Sequence, residues 1–579
     1  MVRLSSKIYP QKWIQVLLLI GFCVALYFVN LGRWDLWDPD EPRYAQVARE
    51  MVTGGDWILM HYNGKIYPDK PPFFFWAVAV SSFFWQGFHS YAVRFVPALF
   101  GTLTVLLTFL FGKALYSSRT GFLSGLILAT SIEFAYLSIR ANIDTTLTFF
   151  TTAALFCFLQ WHRYRRPRLG ASPGLSAGQE FRPVTLPAEE EEGVKLGPTG
   201  HGKQETLLIY GFYASLSLAT LTKGPVGFIL PLLVVLVYLA VQKDWKSMRQ
   251  MKLLPGMLLF VGIVLTWYVP AVIKGGEDYL NMTLFRHTID RFSEGWSKPR
   301  PIYYYFYNFP IDFLPWTLFL PAAIAYGYSR ERVQERKEFL FITLWFVLIF
   351  LFFSLSKGKR ALYLLPLYPA ASLMVGKLWN DLVSAPMDHF GHAWISIPLY
   401  GFIGLTLLAG AAIPLVVSMK LPSYVPYSLP LAFLLVGGGL AIFVLYRFEN
   451  YGAILCLMVG IVAAGFFYSS RVIFPLINPY KSARFISEEV TSRILPGEKL
   501  GVYGRIGASP YNFYTGIVPI IELNTRSELL RFVESPERVF CIIPFNEFSQ
   551  LQNTEGPPKV QLISRRKTGD KDVALVTNR

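Results

Sequence analysis

Charge is scarce in this 579-residue chain: only 16% of its residues are Asp, Glu, Lys or Arg, against about a quarter in a soluble domain. With 53% hydrophobic and 16% aromatic residues, that deficit excludes an ordinary soluble protein. Cysteine is rare as well. Cys23, Cys157 and Cys456 fall in apolar runs and Cys541 near the C-terminus, a distribution with no disulfide framework and no metal-ligand spacing. The first apolar run follows Lys7 and Lys12 but lacks a small-residue cleavage site, so it reads as a retained span and not a removed signal. There is no basic groove interleaved with aromatics, and the net charge of +16 therefore does not point to nucleic acid. No internal repeat is visible either.

What the chain has is apolar runs of bilayer-crossing length. Residues 13–30, 91–113, 118–137, 144–161, 206–222, 224–241, 254–273, 313–329, 338–355, 361–379, 395–416, 428–446 and 451–469 give about 13 predicted transmembrane helices. Phe73–Phe88 is short for a crossing and fits an interfacial or re-entrant helix. The excess positive charge sits in His162–Arg168, Lys243–Lys252 and Arg330–Lys337. If Phe73–Phe88 does not cross and the N-terminus is inside, all three basic loops become cytoplasmic, as the positive-inside pattern requires.

The expected fold is an α-helical polytopic membrane protein with residues 1–470 as the transmembrane unit and 471–579 as a small α/β domain on the outer, periplasmic side. Within the first unit, 31–90 form a long outer loop carrying interfacial helices. Residues 162–205 include a Gly-, Pro- and charge-rich insertion that reads as a flexible cytoplasmic loop. The tail alternates short strand-like runs such as Val539–Pro544 with helical segments such as Lys481–Ile494, and it contains no nucleophile motif or phosphate loop.

Ionisable groups at a membrane rim must be solvated, paired or functional, and the outer loops hold several. In Trp37-Asp38-Pro39-Asp40-Glu41-Pro42-Arg43-Tyr44, Pro42 suits the first turn of a helix and the carboxylates its positive end. Asp40 is then either a cap or a catalytic group. Tyr44, Val47, Ala48 and Met51 make one apolar face, predicting a helix that lies on the membrane. Lys70, in Asp69-Lys70-Pro71, can snorkel or bind a lipid phosphate. Asp144, after Arg140 in the next outer turn, can cap a span or serve the site. Arg286-His287 and Asp290-Arg291 lie in the loop after the seventh predicted span. Ser356-Lys357-Gly358-Lys359-Arg360 places three cations in one outer turn, followed by Tyr363. Such a cluster suits a phosphate on a lipid.

Together these clusters resemble the GT-C type membrane glycosyltransferases that use polyprenyl-phosphate-linked sugars. They are nearest to the 4-amino-4-deoxy-L-arabinose lipid A transferases and the protein mannosyltransferases. The resemblance runs through most of residues 30–380. It implies an inverting glycosyltransferase of a bacterial inner membrane, carrying a pentose or hexose from undecaprenyl phosphate to lipid A, another glycan or a protein. It makes Asp40 catalytic, with Glu41 and Asp144 in the same set, and Lys70, Arg291 and Tyr363 contacts of the carrier phosphate. Arg43, Tyr44, Arg140, Lys357 and Lys359 complete the donor-binding set. It also raises a divalent cation, zinc or magnesium, held by Asp69 and His287, although the family pattern has Glu where this chain has Asp69. A protein O-mannosyltransferase-like enzyme is the alternative, and a secondary transporter the more distant one, since the ionisable residues gather at a rim and not at the midplane. Oligomeric state is not legible.

Overall fold

A computed structural model describes residues 12–165, 198–283, 299–384, 391–553 and 560–579. Helices stand at each of the predicted span positions. Among the described residues, seven helices are long and apolar enough to cross a membrane, and nine if each of two bent pairs counts as one span. The exact span count expected from sequence is thus met only in its coarser form. Ala361–Ser384 is mostly enclosed by other helices, whereas Leu253–Asn281 keeps most of its apolar surface at the perimeter. That contrast is expected between an inner helix and one facing lipid.

Two predicted straight spans are broken. Ser118–Ala129 and Ile132–Ser138 meet at 73°, where the Thr130 and Ser131 hydroxyls donate back to helix carbonyls and so compete with the helix ladder. Tyr304–Asp312 and Trp316–Gly327 meet at 111° around Pro315, which has no N–H to continue a helix. The amide of Ile132 donates to Leu314 O at 3.2 Å, so the two bends support each other.

The long first loop holds helix α1 (Glu41–Gly54), a hairpin of β1 (His61–Tyr62) and β2 (Lys65–Ile66), and helix α2 (Phe73–Phe84). Helix α2 has 12 residues and is about 18 Å long, too short for a core of about 30 Å. The apolar face of α1 is not laid on the membrane as expected. Tyr44, Val47, Ala48 and Met51 are buried in protein, with the Tyr44 ring 5.7 Å from both Phe74 and Phe75. The next helices are α3 (Ser90–Leu115), α4 (Asp144–Arg165) and α5 (Pro198–Lys223).

Helix α4 sets the scale of the molecule. Its 22 residues extend about 33 Å, with Asp144 at one end and His162 near the other. His162 Nε2 lies 3.0 Å from Asp244 Oδ2, and Phe158 and Tyr238 both pack on Phe341. The described parts of the three basic loops therefore share one end of the bundle, a membrane's thickness from Asp144.

After the last long helix, α6 (Phe474–Lys481) leads into a five-stranded sheet of β3 (Lys499–Tyr503), β4 (Ile521–Leu523), β5 (Val539–Pro544), β6 (Gln561–Thr568) and β7 (Lys571–Thr577). The order is β4-β3-β5-β7-β6. Strand β3 is parallel to β4 and β5, and β7 antiparallel to β5 and β6. Short helix α7 (Tyr511–Thr515) joins β3 to β4.

Candidate active site

The loop before α1 places Asp40 at the helix start, but its side chain caps nothing. The carboxylate instead accepts from two arginines. Arg43 Nη2 lies 2.6 Å from Oδ1 and Arg360 Nη2 lies 2.5 Å from Oδ2. Of the two uses open to Asp40 from sequence, the geometry excludes the helix cap. Burial opposes its charge, yet Arg360, Arg43 and Arg140 together hold its carboxyl below the usual carboxylate range. A depressed folded pKa means stability present above the unfolded value of about 3.9 and lost as pH falls through the folded value. Thermal melts between pH 6 and 3 should show wild-type protein losing more stability at the acid end than Asp40→Asn, which lacks the titrating group.

Glu41 differs from expectation. It is fully buried, and its oxygens are taken by Arg94, Trp37 N (3.0 Å) and Ala141 N (2.8 Å), with Arg140 Nε at 3.6 Å. No face is left for a substrate, so Glu41 ties the Asp40 loop to the bundle. Its partner Arg94, in α3, is also fully buried. That arginine donates to both Glu41 oxygens at 2.8 and 2.9 Å and to the carbonyls of Leu31, Trp34 and Asp35.

From Arg360 the cluster continues toward α4 and α5. Arg360 lies in the fields of Tyr44 and Tyr363. The Tyr363 ring carries Lys223 Nζ at 4.2 Å from its centre, and Lys223, the last residue of α5, pairs with Asp144. Asp144 does not cap α4; the Asn142 side chain accepts from the amides of Asp144 and Thr145 at 3.0 and 3.1 Å. Arg140 donates to Tyr136 Oη at 2.7 Å and adds its charge to the field at Asp40. Arg43 stacks over Tyr44, 5.5 Å from the ring centre, and feels Tyr67 and Asp69, which brings the Asp69-Lys70 turn to the same rim.

The three cations of the 356–360 turn separate. Lys357 is exposed. Lys359 is buried and donates to the carbonyls of Arg300 and Ser356, a role in shaping the turn that differs from the phosphate contact expected of it. Arg360 is the one that reaches Asp40. Arg291 and His287 lie outside the described residues. Among the described residues, no three His, Cys, Asp or Glu side chains stand together as a metal site.

Two functional candidates escaped the sequence reading. Lys223 follows the fifth predicted span, in Thr222-Lys223-Gly224, and the same parity that flagged the other outer cations would have flagged it. Arg360 stood inside a quoted motif, but spacing does not tell which of three neighbouring cations turns inward.

The sequence profile of the dolichyl-phosphate-mannose-protein mannosyltransferases matches residues 12–177. A protein of Aquifex aeolicus is 27% identical over 497 residues, covering 85% of this chain and 84% of that one. An undecaprenyl phosphate-alpha-4-amino-4-deoxy-L-arabinose arabinosyl transferase of Pseudomonas aeruginosa (strain LESB58) is 31% identical over 438 residues, covering 73% of this chain and 69% of the relative. The crystal structure of ArnT from Cupriavidus metallidurans bound to undecaprenyl phosphate superposes with a TM-score of 0.76 at 20% identity, over 98% of both chains.

Proposed function

Since the chain belongs to the GT-C type polyprenyl-phosphate-sugar glycosyltransferases that include the undecaprenyl phosphate-aminoarabinose transferases, we propose that it transfers aminoarabinose, or a related sugar, from undecaprenyl phosphate to lipid A. The site would face the periplasm from the inner membrane. The chain is a multi-pass membrane glycosyltransferase with a polyprenyl-phosphate-linked donor; the sugar, the acceptor and the face are this reading's own.

One observation carries it: the Asp40 carboxylate bridged by Arg43 and Arg360 at a single rim. Attack on the anomeric carbon breaks its bond to the carrier oxygen, and the carrier leaves as a phosphate monoester. Negative charge develops on that phosphate, and fixed cations already in place stabilise it without reorganisation. Arg43 and Arg360 are placed for this, with Lys70 and Arg140 at the same rim and Lys223 behind Tyr363. A single displacement inverts the anomeric centre. Asp40 orients the acceptor and balances the arginines until the phosphate arrives.

The acid–base state of Asp40 favours one acceptor. A carboxyl held below its usual range is a weak proton acceptor. That suits an acceptor group arriving already ionised, such as a lipid A phosphate, better than a protein hydroxyl that must lose its proton. The mannosyltransferase profile over residues 12–177 keeps a protein acceptor as the second reading. Mass spectrometry of envelope lipids and glycoproteins with and without the protein separates them. An aminopentose increment on lipid A phosphate supports the first reading, and a hexose on protein replaces it with the second.

The phosphate assignment has its own test. Charge-assisted hydrogen bonds contribute about 1.5–3 kcal/mol, so Arg360→Ala and Lys70→Ala should each weaken undecaprenyl phosphate binding by roughly 10- to 100-fold. Unchanged affinity in both folded variants would remove these residues from the carrier site.

A further inference from the structure

The strand of loop that delivers Asp40 is held from the far end of the chain. Each of residues 35 to 38 has a partner in the C-terminal region. The Asp35 amide donates to Asn478 Oδ1 at 3.1 Å, and Asn478 Nδ2 donates to Asp35 Oδ2 at 2.8 Å. Tyr514 Oη donates to Leu36 O at 2.7 Å. Trp37 Nε1 donates to Asn478 Oδ1 at 2.9 Å. Lys571 Nζ, at the start of β7, lies 3.0 Å from Asp38 Oδ2 and donates to Ile506 O at 3.1 Å.

Further along the loop the same domain is engaged again. Arg49 donates to Phe513 O at 2.8 Å. Asn63, beside the β1–β2 hairpin, exchanges two hydrogen bonds with the backbone of Ile520, at 2.9 and 2.8 Å. A domain that merely shared the outer surface would touch the loop at scattered points. Here consecutive residues leading to Asp40 are fixed one after another.

We propose that the C-terminal domain is a clamp on the catalytic loop, and that Lys571 is a positioning residue that sets Asp40 through Asp38. This rests on the reading of Asp40 as the catalytic carboxylate. Lys571 is anchored on its own domain by Ile506 O, so its ammonium is a fixed point against which Asp38 registers. Burial pushes the Asp38 carboxyl up, and Lys571 is the chief charge opposing that shift. Only Pro39 separates Asp38 from Asp40, so a displacement of Asp38 passes to the carboxylate between Arg43 and Arg360. Misplacement of a reacting group by about 1 Å can lower a rate by about 10²-fold.

The test compares full-length wild type, Lys571→Ala, Lys571→Arg and Asp40→Asn. Hydrogen exchange of residues 33–44 is measured without substrate. Transfer is measured from undecaprenyl phosphate-aminoarabinose to lipid A in proteoliposomes. Lys571→Ala should raise exchange in that peptide roughly tenfold while exchange in the membrane helices is unchanged. It should also lower kcat by about tenfold with donor KM unchanged, and Lys571→Arg should restore both. Exchange at wild-type level in the Ala variant, or raised exchange with wild-type kcat, overturns the positioning role. Raised exchange in Lys571→Ala together with wild-type transfer by Asp40→Asn sinks the Asp40 reading and leaves the clamp itself standing.

Discussion

Replacing Asp40 by Asn is expected to lower sugar transfer by about 10²-fold or more while the protein still folds and binds undecaprenyl phosphate. The side chain keeps its shape but only one acceptor oxygen, so one of Arg43 and Arg360 keeps a neutral partner and the other meets an amide donor. What is lost is the charge that pairs with both arginines and that, in the proposed mechanism, orients the acceptor. Two further measurements say which role dominates. If Asp40 acts by charge and position, the wild-type pH–rate profile has no carboxylate limb between about pH 5 and 8, because its carboxyl is held below the usual range by Arg360, Arg43 and Arg140 against its burial. Asp40→Glu keeps the charge but moves it by a methylene, so it should remain well below wild type. Steady-state transfer by purified Asp40→Asn at the wild-type rate would remove Asp40 from the chemistry.

The parts of the site legible in sequence were those that break a composition rule. A bilayer-spanning chain has few ionisable groups, so Asp40, Lys70, Asp144 and the 356–360 turn stood out against the apolar background, and parity assigned them to one rim. Helix α4 bears out that separation, with Asp144 and His162 at opposite ends. What was not legible depends on side-chain direction and on distant pairing. Glu41 and Asp40 are adjacent and chemically alike, yet one faces Arg94 in the bundle and the other Arg360 of the 356–360 turn. The same limit applied to Lys359 and Arg360. Lys571 and Asp38 are 533 positions apart, and no local pattern in β7 marks a lysine that meets the first loop.

Fold and site also divide the labour between two buried charges. The Asp40 loop has to leave the first span, turn at the rim and enter α1 without regular structure, so its carbonyls need partners away from water. Arg94 supplies them. Three of its five N–H bonds go to loop carbonyls and two to Glu41. An ionisable residue inside a span is a functional candidate by default, but every donor here is already used and the group is fully buried. Its work is architectural.

Arg94→Leu is therefore expected to have the largest effect on stability of any single change at this rim. Removing one partner of a buried ion pair costs about 3–5 kcal/mol, because Glu41 is left charged without its main counter-ion and three carbonyls lose their donor. Thermal stability measured by fluorescence-detected gel filtration in detergent should show a sharp loss of the monodisperse peak at temperatures wild type survives. Arg94→Lys should not rescue it, since one ammonium with three donors does not replace a planar five-donor fork. The double change Arg94→Leu with Glu41→Leu should recover part of the loss, because it removes the stranded carboxylate. Glu41→Gln alone keeps the shape and one acceptor oxygen but turns an amide donor toward Arg94 and a backbone N–H, so it should also lose stability. Its folded fraction should transfer sugar at close to the wild-type rate, in contrast to Asp40→Asn one residue away. A folded, stable Glu41→Gln protein without activity would instead return Glu41 to the catalytic set. Wild-type melting of Arg94→Leu would show that the loop is held from the C-terminal domain alone.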